Sequence, residues 1–374
     1  MNIDLRINGD TIKALCDIQV VKKYYRFSLN STLKIIKVTN NGCPVEIEPC
    51  EIITVEFRPP MRQYQLNNLI PGRLLIEYEG ELTGWFLFMT DELLHFSFYN
   101  AWYPTLLEHE DVYEITLQCD ERYEMVQGIY NQQSHTWYYS TKNQSFTDCN
   151  IMLINKEKAK KLIAGNTIIW YFQKEQEEAA KVFYNTFSKL SDFYFELYGY
   201  HNSMESIIVF LPDKYPGMGA YQRTGLTVFA ETSNNLEWLS HVLSHEMGHG
   251  YSNGASCTSW EDWINETHAE WNALLYELKY NPQFFERLMQ SRKKKYSGDY
   301  KIRPNGESRP SDVHETGTLI YYEIYQHLGA GAIITLLKTF DALQIKDTEH
   351  FMQALSKEDR TLYVLLLSKL YRSS

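Results

Sequence analysis

Over residues 1–152, apolar and polar positions alternate in short runs. TLKIIKV, CEIITVEF, RLLIEYEG and YEITLQC are parted by the turn-forming segments TNNGCP, NLIPGR and QCDER. A period of two puts every other side chain on one face, as a half-buried strand requires. Strands at this density, with no helical period between them, predict an antiparallel β-sandwich. The many Tyr and Trp residues suit its pleated faces. Near Asn155 the period changes. QKEQEEAAKVFYNTFSKLSDFYFELYGY spaces its apolar residues as a helix does and stops at Gly199. SIIVFLP then reads as a short buried strand, and GMGAYQRTGLTVFAE as a glycine turn entering another. From Asn234 onward the pattern is helical, over 236–250, 262–279, 283–294, 312–328, 330–341 and two further segments. The expected fold class is α+β: an N-terminal β domain (1–152), then a mixed domain that becomes helical (153–374).

Composition narrows the function. With 44% hydrophobic and 22% charged residues the chain is a folded globular protein. No apolar run approaches the roughly 18 residues of a membrane span. The start, MNIDLRINGD, is polar and alternating, unlike a signal peptide. These features predict a cytoplasmic protein with no membrane partner. A net charge of −11 argues against nucleic acid as a partner, because phosphate binding needs concentrated Lys and Arg. The basic run SRKKKYSGDYKIR (291–303) contains Gly298 and reads as a solvated loop, with a docking strip for an acidic peptide as the alternative. Six cysteines without a CxxC pair are expected to be reduced and mostly buried.

The candidate chemistry lies in SHEMGHG (244–250) and WINETHAEW (263–271). His245 and His249 are four residues apart, so on a helix both imidazoles share a face and converge on one ion. Zinc accepts neutral imidazole nitrogens and carboxylate oxygens and keeps one position for water in a catalytic site. Glu246, beside the first ligand, is placed to take a proton from that water. Ser252 and Ala255 stand where a metzincin carries Gly and a third His, which excludes that class. His241 is eight residues before His249, about 12 Å along a helix axis, too far to share the ion. Glu266, His268 and Glu270 remain. Glu266 and Glu270 share a face, as a ligand and an outer carboxylate holding a ligand histidine would. The expected set is one Zn²⁺ per chain on His245, His249 and Glu266, backed by Glu270.

These residues resemble the gluzincin metallopeptidases, and within them the aminopeptidase N and leukotriene A4 hydrolase family. WINETHAE is similar to that family's WLNEGFAE, although the spacer of sixteen residues after His249 is shorter than usual. AWYPTL (101–106) resembles its Trp-Tyr-Pro segment, GAYQRTGL (219–226) its GAMENWGL, and HETGTLIYYEI (314–324) its YEKG helix start. The resemblance implies a thermolysin-like catalytic domain, a small sheet with a mostly helical lobe. It implies a peptide substrate lined by Gly219, Ala220, Gln222 and Arg223. Gln222 replaces the Glu that binds a substrate's free amine, and losing a charge-assisted bond costs about 1.5–3 kcal/mol. His314 replaces the family's catalytic Tyr and is expected to donate to the oxyanion, with Tyr321 and Tyr322 as the next donors. The strand around GMGAYQ is expected to pair with an extended peptide. Only about a hundred residues follow WINETHAEW, which implies an open cleft, or one covered by a separate protein. The implied function is an aminopeptidase-like zinc peptidase. An endopeptidase, or a dedicated leader-processing protease, is the alternative within that class. A non-catalytic peptide-binding protein is the alternative outside it.

Overall fold

The computed structural model describes residues 1–54, 58–105, 112–142, 149–164, 166–201, 207–212, 219–223, 225–230, 235–257, 259–296, 302 and 308–370. The chain forms two compact units. The first comprises Met1–Lys161, Trp170–Gln173 and Leu211–Pro216; the second comprises Leu162–Ile169, Lys174–Phe210 and Gly217–Ser374.

Among the described residues, the first unit has three sheets of eight, three and four strands. Its alternation is that read from the sequence. Strand Asn2–Asn8 buries Ile3, Leu5 and Ile7, and strand Thr11–Val20 buries Ile12, Ala14, Cys16, Ile18 and Val20. Strand Gly72–Glu81 answers them with Leu74, Ile76 and Tyr78. One expectation fails: the large sheet is mixed, because Asn2–Asn8 pairs parallel with Glu114–Gln118. A half-buried strand shows the same period of two in either pairing, so the pattern carries no information on direction. Cysteine burial is also less than expected. All six are free thiols, but only Cys16 and Cys149 are buried, and Cys43 and Cys257 are exposed.

The second unit carries most of a five-stranded sheet in the order Lys160–Ala164, Thr167–Tyr171, Ile207–Phe210, Leu226–Phe229, Ala220–Arg223. Ala220–Arg223 pairs antiparallel with Leu226–Phe229 and is an edge strand among the described residues. Eight α-helices among the described residues follow or flank it: α1 (Lys174–Tyr198), α2 (Leu236–Ser252), α3 (Asp262–Tyr280), α4 (Pro282–Lys295), α5 (Val313–Leu328), α6 (Ala330–Asp341), α7 (Thr348–Glu358) and α8 (Arg360–Leu370). Their starts and stops follow local chemistry. Asn235 caps α2 by accepting from Trp238 N–H at 3.1 Å, and Pro282 occupies the first turn of α4. Gly199 ends α1 at φ +83, a conformation only glycine adopts freely. Ser233 and Asn234, which precede this cap in the chain, lie outside the described residues. No described helix is long and apolar enough to cross a membrane.

Candidate functional site

Helix α3 is the spine of the site, with α2 and α5 packed against it. Two glycines permit the close approach. A Cβ at Gly248 of α2 would sit 2.9 Å from the backbone oxygen of Ala269 and 2.9 Å from Asn272 Cβ. One at Gly317 of α5 would sit 1.8 Å from Thr267 Oγ1. Glycine costs about 1 kcal/mol in a helix interior. Here it offsets that cost by letting α2 lie almost on the backbone of α3 and α5 close over the Thr267 side chain.

The crossing brings the predicted residues together. His245 and His249 stand one turn apart on α2 with ring centroids 4.9 Å apart. Their Nε2 atoms lie 3.4 and 3.6 Å from Glu266 Oε2 on α3. Each Nδ1 is already held, His245 by Glu270 Oε2 at 2.8 Å and His249 by Asn253 Oδ1 at 2.9 Å. Both rings therefore turn Nε2 toward Glu266. Glu266 Oε2 is buried and has no well-directed hydrogen-bond partner among the described residues. The separations match the edge of roughly 3.3 Å of a tetrahedron with ~2 Å bonds, so the donor set fits a zinc ion. His314 Nδ1, at the first turn of α5, lies 2.9 Å from the same oxygen. The ligand atoms of His245, Glu266 and His314 all fall within 4.8 Å of one another. His314 is thus closer to the centre than its expected role of oxyanion donor required.

Glu266 and the residues around it are electrostatically coupled. Burial works against the Glu266 carboxylate, but the charges of His314 and His249 hold it well below the usual range. Burial likewise opposes charge on His245, yet its bonds to Glu266 and Glu270 raise it to about 10. His249 lacks a second carboxylate, and burial pushes it down to about 4. Burial pushes the Glu246 carboxyl up to about 7, against the charges of His245, His314 and Arg223. A group balanced near neutrality is what a general base needs.

Glu270 accepts from both His241 and His245, as expected of the outer carboxylate. Three further supports were not read from the sequence. Asn253 holds His249 from four residues on, a spacing that could have revealed it. Arg309 has no such signal: its Nε donates to Asp262 Oδ2 at 2.6 Å, and its guanidinium lies 3.6 Å from Glu266 Oε1 and 3.4 Å from His314 Nε2. Arg292 ion-pairs with Glu270 at 2.5 Å. It corrects the reading of the basic run as a loop, since residues 291–295 belong to α4. The rest of that run, with Gly298, lies outside the described residues except Tyr296 and Ile302.

Gly219, Ala220, Gln222 and Arg223 all lie on or beside the edge strand, which packs against α2. Arg223 is near enough for its charge to act on Glu246. Tyr321 is a correction. It is fully buried, with its hydroxyl 2.7 Å from His268 Nε2. It shares the face of His314 but sits two turns deeper along α5, about 10 Å. Tyr322 is also buried, in a stack with Phe285 and Tyr325. A surface pocket of about 740 Å³ lies in the first unit, among Arg6, Asp91, Cys119 and Arg122. No group of the histidine–carboxylate cluster lines it, so the convergent chemistry and not the volume marks the candidate site.

No protein-family model matches the chain. No curated protein matches it either. Solved structures do. The native yeast leukotriene A4 hydrolase superposes on 100% of this chain and 68% of its own, at TM-score 0.71 and 12% identity. The yeast enzyme in complex with bestatin gives TM-score 0.73 at the same identity and coverage. A further native structure from Saccharomyces cerevisiae gives 0.71, over 67% of its length. This chain therefore has the fold of leukotriene A4 hydrolase, an N-terminal multi-sheet β domain joined to a largely helical C-terminal part.

Proposed function

We propose that this chain is a zinc-dependent peptidase. The observation that carries the reading is the convergence of His245 Nε2, His249 Nε2 and the unsatisfied Glu266 Oε2, with Glu246 beside them. His245, His249 and Glu266 would hold the metal. When bound, zinc supplies Lewis acidity toward a carbonyl and lowers the pKa of a water. Glu246 takes the proton of the attacking water and returns it to the leaving nitrogen. His314 donates a hydrogen bond to the oxygen that becomes negative in the tetrahedral intermediate. Its half-exposed side chain leaves it open to a substrate. The edge strand Ala220–Arg223 pairs with the backbone of an extended peptide. Gln222 can still accept from a free amine, but Arg223 next to it repels one, which favours substrates bound without their N-terminus.

Two peptides of one sequence, free and N-acetylated, test this with and without chelator, the products being read by mass spectrometry. Chelator-sensitive internal cleavage of both is the expected result. Cleavage of the free peptide alone, one residue at a time, replaces the endopeptidase reading with an aminopeptidase. Glu246→Gln is expected to abolish cleavage while zinc stays bound. Cleavage that survives this change sinks the assigned mechanism. A wild type that binds zinc and peptide without cleaving either one supports a binding protein instead.

A further inference from the structure

We propose that Arg292, on α4, is a positioning residue for the metal centre, acting on His245 through Glu270. The inference rests on the zinc reading above and deepens it.

Glu270 projects from α3 into a buried space, its side chain 7% exposed. A carboxylate there must have its lone pairs engaged, because an unpaired buried charge is costly. Its two oxygens are divided. Oε1 accepts from His241 Nε2 at 2.9 Å and pairs with Arg292 NH2 at 2.5 Å. Oε2 accepts from His245 Nδ1 at 2.8 Å. The His241 hydrogen bond and the Arg292 charge both engage Oε1 and leave Oε2 to His245. That bond fixes the ring so that Nε2 faces Glu266. Arg292 is no passing surface charge. Its side chain is 16% exposed, whereas Lys293, Lys294 and Lys295 beside it are exposed to solvent. One member of a basic run has been turned inward, and its helix packs on α3. An ammonium could also neutralise Glu270, but it is a compact, strongly hydrated charge on a flexible stem, whereas the less hydrated guanidinium is better suited to this buried contact.

The test measures zinc affinity by competition with a chelating dye, for the wild type, R292M, R292K, E270Q and the E270Q/R292M double variant. Circular dichroism and thermal unfolding of each metal-free protein accompany it. R292M is expected to weaken zinc about 10- to 100-fold, the usual range for an outer support of a ligand. R292K is expected to recover only part of this. In the E270Q background, R292M is expected to cost little more, since the two changes break one path. Wild-type zinc affinity in folded R292M overturns the inference, as does an undiminished cost in the E270Q background. If R292M does not fold, R292Q carries the same comparison: weaker zinc supports the inference and unchanged zinc overturns it. A wild type that binds zinc no better than His245→Ala overturns the metal reading itself, a separate failure from this one.

Discussion

At Glu246 the burial that makes a carboxylate hard to ionise also makes it a useful base, since it brings the group to about 7. The role of His314 is decided by a similar separation of effects. Its Nδ1 is near enough to Glu266 Oε2 to join the ligand set. With His314 as the proposed oxyanion donor, His314→Ala is expected to lower kcat about 100-fold or more with zinc affinity kept. Loss of zinc affinity instead makes His314 a ligand. His268 gives a prediction on stability. Burial, helped by the charge of Lys346, pushes it down to about 3. Between that value and the ordinary 6.5 the unfolded chain holds a proton that the folded chain refuses. The His268 contribution is thus complete above about pH 6.5 and is lost as pH falls through the window. Thermal midpoints of wild type and His268→Gln, followed from about pH 7 to about pH 4, are expected to converge as pH falls. Parallel curves remove His268 from the account. In the sequence, Glu266 was distinguishable from His268 by helical phase alone. Tyr321 was not distinguishable from a site residue, because phase says which face a side chain occupies and not how deep along the helix the core begins.

At the scale of elements, α2 and α3 meet at Gly248, which lies against the backbone of Ala269 and the Cβ of Asn272. Gly248→Ala gains about 1 kcal/mol of helix propensity. It also places a methyl 2.9 Å from the Ala269 carbonyl oxygen, which cannot swing away as a side-chain tip can. Overpacking of this kind costs about 1–3 kcal/mol. The expected result is a less stable protein with zinc affinity reduced about tenfold, because α2 carries two of the proposed ligands and α3 the third. A rise in thermal midpoint with zinc affinity unchanged contradicts this account of the crossing. All the helices expected after Asn234 are present. Each began or ended on a local signal, such as the Asn235 cap, Pro282 in the first turn, or Gly329 between α5 and α6 at φ +78. The parallel pairing of Asn2–Asn8 was invisible for the opposite reason, as nothing near residue 2 specifies a partner at residue 114.

At the scale of the molecule, two compact units imply that one unfolding free energy does not describe the chain. The candidate zinc ligands all belong to the second unit, so zinc is expected to raise that unit's calorimetric transition and leave the other in place. At a free concentration of 100 times Kd the gain is about 2.7 kcal/mol, and chelator reverses it. A shift of both transitions together indicates that the units unfold as one. No zinc-dependent shift at all counts against the metal centre.

His-Glu-x-x-His and the later Glu266 and Glu270 were legible because ligand geometry there is helical geometry: residues four apart share a face wherever the helix is placed. The β and helical halves were legible for the same reason, since periods of two and 3.6 are local properties of the chain. Arg292 reaching Glu270, Arg309 joining Asp262, Glu266 and His314, and Tyr321 withdrawing into the core were decided only in three dimensions. Each depends on how closely helices cross, and that distance is set by side chains far apart in sequence that meet only after folding.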